Sequence, residues 1–240
     1  MLSSFGAIAG SKRSLHVQVA REIARSIISG KLPEGSVIPG EMALCEQFGV
    51  SRTALREAVK LLTSKGLLES RPKIGTRVVE RAKWNFLDSQ LIEWMEGLMD
   101  VDEFCIRFLG LRRAIEPEAC ALAARHATAE QRMELSSVFQ EMVDVANADE
   151  FDAEKWTDID MQFHKLIFSS TGNDFFLPFG NILSTMFVNF IRHSSEEGST
   201  CIKEHQEIYN AIMAGDSEKA RDASASHLQA TKHRLPEEAA

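Results

Sequence analysis

The sequence has few of the residues that build covalent frameworks or membrane anchors. Its four cysteines are widely scattered and form no C-x-x-C pair: Cys45, Cys105, Cys120 and Cys201. We therefore expect reduced, mostly buried thiols in a cytoplasmic protein. No hydrophobic run approaches the ~18 residues of a membrane span. The small apolar residues at the start have no charged segment before them, which argues against a secretory signal.

The chain as a whole also lacks the positive charge expected of a nucleic-acid-binding protein, since its formal net charge is −8. The two parts of the chain differ, however. Residues 1–83 hold 14 Lys and Arg against 7 Asp and Glu, whereas residues 84–240 hold 13 against 28. A basic head joined to an acidic body is expected when only one domain faces phosphates. The length of 240 residues is also sufficient for two domains.

The basic head has the pattern of a winged helix-turn-helix. Apolar residues at helical spacing predict helices over residues 14–29 and 41–48, and a third helix that Ser51 caps with its hydroxyl. Gly49 supplies the turn between the second and third helices. After Gly66 the period changes, and two short strands around a basic tip predict the wing.

Three basic side chains of this head are candidates for contact with DNA. Arg52 and Arg56 are four residues apart, so both project from one face near the start of the third helix. Recognition helices touch base edges and phosphates with this part of their surface. Lys73, at the tip of the wing, is placed to reach a groove or a phosphate. The alternative is that the two arginines are only surface charges.

From residue 84 onwards the pattern predicts helices and no strand. They are expected near residues 86–98, 102–126, 130–147, 151–171, 174–195, 199–214 and 217–233. Short links between so many helices favour an antiparallel bundle, and the fold is expected to be mainly α. The predicted organisation is a disordered start (1–13), a winged helix-turn-helix (14–80), a linker with the first joining helix (81–100) and an all-helical domain (101–235).

Four residues of the helical body form a candidate metal site. Asp160 and His164 are four residues apart and share one helical face, although such a pair alone more often forms a hydrogen bond. His205 and His227 lie 11 residues before and after Asp216, the turn of a predicted helical hairpin. Positions equidistant from such a turn lie at the same height. Three imidazoles and one carboxylate suit Zn²⁺, Ni²⁺ or a similar divalent ion.

The motifs of the head resemble those of the GntR family of bacterial transcription regulators. The matching segments are G-K-L-P-E-G-S-V-I-P-G-E (30–41), F-G-V-S-R-T-A-L-R-E-A (48–58), K-G-L-L-E (65–69) and G-T-R-V (75–78). The resemblance implies that six residues contact DNA: Ser51, Arg52, Thr53, Arg56, Lys73 and Gly75. Met42 departs from the basic residue that is common at its position, so one phosphate or base contact is in doubt.

The body resembles the C-terminal, FCD-type ligand-binding domain of the fatty-acid-regulator branch of that family, with a narrower likeness to its sugar-acid regulators. The matching segments are L-R-R-A-I-E (111–116), D-M-Q-F-H (160–164), E-H-Q-E-I-Y-N-A-I (204–212) and His227. In metal-binding members, the aspartate and three histidines at these positions hold the ion. The resemblance also implies that Arg112 binds the effector carboxylate. Against this, Arg112 has Glu116 four residues away and could form only an ion pair. Arg192, on a later helix, is a second candidate.

Together these features predict a homodimeric, ligand-responsive transcription regulator that reads palindromic operator DNA. The expected effector is a small carboxylate, such as a sugar acid, which completes the coordination of the metal and releases repression. One alternative is a metal-dependent hydrolase or lyase of small acids, since a site of this kind activates water. The sequence has no H-E-x-x-H general base to support it. In a second alternative the metal is only structural.

Overall fold

The computed structural model describes residues 15–194 and 201–232, without the side chains of 188, 189, 191–194 and 230–232. Residues 1–13, predicted to be disordered, lie outside the described range. The chain folds into two compact units, with the boundary between Leu98 and Met99. Each unit has its own hydrophobic core.

The first unit has the elements of a winged helix-turn-helix. In chain order they are α1 (Leu15–Ile28), α2 (Glu41–Phe48), α3 (Arg52–Ser64), β1 (Leu68–Arg71), β2 (Gly75–Val78), a 3-10 turn (Arg81–Lys83) and α4 (Ser89–Met95). Ser51 begins α3 as predicted, because its hydroxyl accepts a hydrogen bond from the Ala54 amide at 3.2 Å. Gly49 ends α2 with a left-handed φ of 65°. The short turn between α2 and α3 follows from these two residues.

The wing is a two-stranded antiparallel sheet. Its register runs from Leu68 opposite Val78 to Arg71 opposite Gly75. The segment before α2 extends this pairing, because Val37 bridges to Arg77. The prediction of a mainly α fold with a small β-wing is confirmed.

Segment 81–100, predicted as a linker with the first joining helix, contributes to the core of the first unit. Trp84, Leu91 and Trp94 are buried there together with the apolar faces of the preceding helices. The Lys65 ammonium lies 2.6 Å from the Asp88 carboxylate, and the Asp88 side chain also accepts from the Leu91 amide. These contacts place the start of α4 on the end of α3.

The second unit is a bundle of helices. They are α5 (Val101–His126), α6 (Ala129–Ala146), α7 (Ala153–Ser169), a 3-10 turn (Asp174–Phe176), α8 (Leu177–Ser194), α9 (Ile202–Ala214) and α10 (Ser217–Lys232). Helix α5 packs against α10 and α9, and α7 packs against α6 and α8. The helix predicted over 174–195 begins instead with the 3-10 turn, whose first residue follows the Asn173 side-chain cap. The all-helical body is otherwise as predicted.

Candidate nucleic-acid interface and metal centre

The first residues of α3 form an exposed basic surface on the first unit. The side chains of Arg52 and Arg56 are 63% and 66% exposed. Both lie beside one carboxylate, with Nε of Arg52 3.8 Å and Nε of Arg56 2.9 Å from oxygens of Glu41. Glu41 raises the pKa of Arg56 through this hydrogen bond. The two arginines therefore share one face, and Glu41, at the start of α2, links them.

The wing places its basic tip at the surface. Lys73 is exposed and has a left-handed φ of 64°, which is uncommon for a residue with a side chain. Gly75, at the start of β2, has a φ of 110° that favours glycine. Thr53 is exposed beside Arg52 on α3. Met42 follows Glu41 and is 71% exposed, so it presents an apolar side chain to solvent.

Three histidines meet inside the second unit, as their sequence positions predict. His164 comes from α7, His205 from α9 and His227 from α10, and one ring nitrogen of each lies within 4.8 Å of the others. The ring centroids of His205 and His227 are 4.6 Å apart. All three side chains are buried. Burial, together with the neighbouring His205 and His164, lowers the pKa of His227 and favours its neutral, metal-binding form.

Asp160 lies at the edge of this trio, one turn before His164 on α7. Its Oδ1 is 2.7 Å from Nε2 of His205 and 3.7 Å from Nε2 of His164. Burial opposes ionisation of this carboxyl, but His205 and His164 outweigh it and lower the pKa of Asp160. The four residues named from the sequence are therefore brought together, with the carboxylate closest to His205.

The hydrogen bonds around the cluster fit a bound cation. Nδ1 of His205 lies 2.9 Å from the Cys201 carbonyl oxygen, so Nδ1 donates and Nε2 presents its lone pair to the cluster. In a neutral His205 ring this lone pair lies 2.7 Å from Oδ1 of Asp160, whereas a protonated ring donates to that oxygen. Nε2 of His205 and Nε2 of His164 are 3.4 Å apart. Two nitrogens on one tetrahedral Zn²⁺ are separated by roughly 3.3 Å.

Arg112, on α5, is buried beside the histidines. Its Nη2 lies 3.2 Å from Oε2 of Glu116 and 3.5 Å from Nε2 of His164. The guanidinium carbon is 4.4 Å from the ring centroid of Phe187 and 5.3 Å from that of Phe190. The sequence left two roles open for Arg112, an ion pair with Glu116 and the binding of an effector. In the structure Arg112 forms the ion pair and also borders the candidate metal centre. The Arg192 side chain lies outside the described residues.

Some residues of these sites were not singled out by the sequence. Glu116 was considered only as a partner of Arg112, yet it also contacts His164 on another helix. In the sequence Glu41 was named only as the last residue of the matching segment 30–41, but in the structure it contacts both arginines of α3. Its spacing relative to α3 would not have revealed this contact, because it depends on how α2 packs against α3.

No helix within residues 15–194 and 201–232 combines the length and apolar character needed to cross a bilayer.

The sequence matches two known protein families. Residues 15–78 match the family described as bacterial regulatory proteins, gntR family. Residues 108–230 match the FCD domain. The first match contains α1 to β2, and the second contains the Asp160, His164, His205 and His227 cluster together with Arg112.

Individual proteins resemble the chain over most of its length. The Escherichia coli K12 protein named uncharacterized HTH-type transcriptional regulator YieP is 37% identical over 210 residues, or 88% of this chain and 90% of that protein. The galactonate operon transcriptional repressor of the same strain is 27% identical over 221 residues, or 90% and 94%. Streptococcus agalactiae GntR, a solved structure, is 23% identical with a TM-score of 0.52 over 91% of this chain and 99% of that one. This last likeness concerns the fold alone.

Proposed function

This chain belongs to the GntR family of bacterial regulatory proteins and carries an FCD domain, and we propose that it is a repressor released by a small carboxylate bound at a metal. That it is a DNA-binding transcription regulator follows from the family. The sign of the response and the effector are the proposal. The likeness to the galactonate operon transcriptional repressor supports repression, and the operon in that name is named for a sugar acid.

The first unit would read DNA through α3 and the wing, with Ser51, Arg52, Thr53, Arg56, Lys73 and Gly75 at the interface. Two exposed guanidinium groups held on one carboxylate support this, because paired arginines at the start of a helix suit base edges in the major groove. A homodimer would carry two such surfaces and recognise a palindromic operator.

Selection of bound sequences from a random DNA pool tests the interface and supplies the operator. We expect a palindromic consensus, and we expect Arg56→Ala to weaken its binding by about 1–3 kcal/mol if a base contact is lost. Lys73→Ala should instead reduce the slope of the logarithm of the binding constant against the logarithm of salt concentration by about 0.9, as expected for the loss of one phosphate contact. Arg107→Ala is a matched control, since this exposed arginine of α5 also pairs with a glutamate. Equal effects of Arg56→Ala and Arg107→Ala would contradict the assignment.

The second unit would hold a divalent ion, Zn²⁺ or Ni²⁺, through Asp160, His164, His205 and His227. The observation that carries this is the meeting of three buried histidine rings from three helices, with Oδ1 of Asp160 2.7 Å from Nε2 of His205. When bound, the ion would supply a positive charge that attracts the carboxylate of the effector. The protein's own part is to exclude water and to hold the acceptors in place.

Arg112 would orient the acid. Arg112 is 2% exposed and its guanidinium lies over the rings of Phe187 and Phe190, so its charge acts in surroundings where electrostatic attraction is strong. Its planar set of donors suits a carboxylate. Binding of the acid would favour the state with lower DNA affinity, as a shift of population between two states.

Thermal unfolding of the Zn²⁺-loaded protein against a panel of sugar acids and hydroxy acids tests the effector. A ligand present at 100 times its dissociation constant stabilises the native state by about 2.7 kcal/mol, which raises the midpoint. We expect this rise only with Zn²⁺ bound, and we expect its loss in Arg112→Met. An acid that stabilises the metal-free protein equally would remove the metal from the recognition of the effector.

A further inference from the structure

Glu116 carries a negative charge at the centre of the second unit, and the proposed function gives it no task. It lies on α5, one turn after Arg112, and is 1% exposed. It forms a buried ion pair with Arg112. A buried carboxylate of this kind is retained only with good partners, since desolvation of an unpaired charge is costly.

The contacts of Glu116 reach a histidine of the metal cluster as well as Arg112. Its Oε2 lies 3.1 Å from Nδ1 of His164 and 3.2 Å from Nη2 of Arg112. The opposite nitrogen of the same ring, Nε2 of His164, is the one that lies 3.4 Å from Nε2 of His205. The carboxylate and the cluster therefore contact the two different nitrogens of one imidazole.

We propose that Glu116 is a positioning residue for the metal, which holds His164 in the tautomer that presents a lone pair on Nε2 to the cluster. The inference rests on the proposed metal site. A neutral imidazole has one N–H, and donation of this N–H from Nδ1 to Glu116 leaves Nε2 as the acceptor. A carboxylate that accepts from a metal-ligating histidine fixes the orientation of its ring and increases its basicity.

His205 has an equivalent arrangement that strengthens the inference. Its Nδ1 lies 2.9 Å from the Cys201 carbonyl oxygen, and its Nε2 points to the cluster. Two histidines from different helices thus present the same nitrogen inward while a separate acceptor holds the other. An ion pair between Arg112 and Glu116 alone would require no such agreement.

Replacement of Glu116 by glutamine separates the two roles of the carboxylate. The amide keeps the shape of the side chain but carries no negative charge, and whichever way it is turned its NH₂ group faces a donor, either Nε of Arg112 or Nδ1 of His164. We expect Glu116→Gln to weaken Zn²⁺ binding about 10- to 100-fold, as loss of such an outer partner does. Glu118→Gln is the matched control, because Glu118 lies on the same helix but pairs with Arg221 at the surface. We expect its Zn²⁺ affinity to match that of the unsubstituted protein.

The test is Zn²⁺ titration against a chromophoric chelator, combined with ¹⁵N NMR of the histidine side chains in the metal-free protein. Zn²⁺ affinity unchanged in Glu116→Gln would overturn the proposal. So would a proton on Nε2 of His164 in the unsubstituted protein, a result that does not depend on the folding of any variant. If the unsubstituted protein binds no Zn²⁺, the proposed metal site fails and this inference fails with it, whereas Zn²⁺ binding that Glu116→Gln leaves unchanged overturns the role of Glu116 alone.

Discussion

Removal of the Asp88 carboxylate should destabilise the first unit much more than loss of an ordinary helix cap. Asp88 has two partners: it accepts from the Leu91 amide at 2.9 Å, and it lies 2.6 Å from the Lys65 ammonium. Lys65 is 3% exposed and lies over the ring of Trp94 at 5.2 Å. Asp88→Ala would leave this ammonium buried without its carboxylate.

The size of the effect follows from these contacts. Loss of a helix cap costs about 1 kcal/mol, and an uncompensated charge from a broken buried pair costs about 3–5 kcal/mol. The Asp88 side chain is 27% exposed, so water reaches the position of the carboxylate and the lower end applies. We expect Asp88→Ala to lower the free energy of unfolding by about 4 kcal/mol, the sum of these two effects. Asp88→Asn, which keeps a cap acceptor, should cost less.

Urea unfolding followed by tryptophan fluorescence measures this effect in a Trp156→Phe background. The chain has three tryptophans, and the remaining two, Trp84 and Trp94, are buried in the core of the first unit. Ser51→Ala is the reference variant for the loss of a helix cap alone, since Ser51 caps α3 in the same unit. If Asp88→Ala lowers the unfolding free energy no more than Ser51→Ala, the ion pair with Lys65 contributes nothing and the reasoning is refuted.

Two further predictions concern a glycine and the buried thiols. Gly66→Ala should destabilise the first unit by more than about 2 kcal/mol, because φ is +77° and a Cβ would lie 2.5 Å from the Lys83 carbonyl oxygen. Gly30 has a similar φ of +76° but no atom of the described residues near the position of a Cβ, so Gly30→Ala should cost about 1 kcal/mol. Equal urea midpoints of the two variants would contradict this difference. Burial raises the pKa of Cys105 to about 11 and that of Cys120 to about 12. Both thiols should therefore resist an aromatic disulfide reagent at pH 8 until the protein unfolds. Rapid labelling of all four cysteines in the folded protein would contradict their burial.

Much of the fold was predictable because it depends on local patterns. The bounds of α2 and the start of α3 follow from Gly49 and Ser51, whose backbone and hydroxyl determine where the helices end and begin. The meeting of His205 and His227 follows from their equal distance from the turn between α9 and α10. Asp160 and His164 share a face through helical spacing alone.

The contacts that the sequence did not show join elements that are distant along the chain. Arg112 and Glu116 are neighbours on α5, but their contact with His164 depends on the packing of α5 against α7. Arg112 and His164 are 52 residues apart in the sequence. The pairing of Lys65 with Asp88 likewise spans 23 residues and depends on where α4 packs. Periodicity defines helices and their buried faces, whereas the partner of each face is determined by tertiary packing.

The metal content of the natively purified protein shows whether the buried histidine cluster holds an ion. Elemental analysis of protein purified without chelators should give about one divalent ion per chain, as expected for a site in which Asp160, His164, His205 and His227 share one ion. The ion should be absent from His205→Ala and retained in Glu118→Gln. A folded protein that contains no divalent ion, and takes up none when Zn²⁺ is added, would contradict the account.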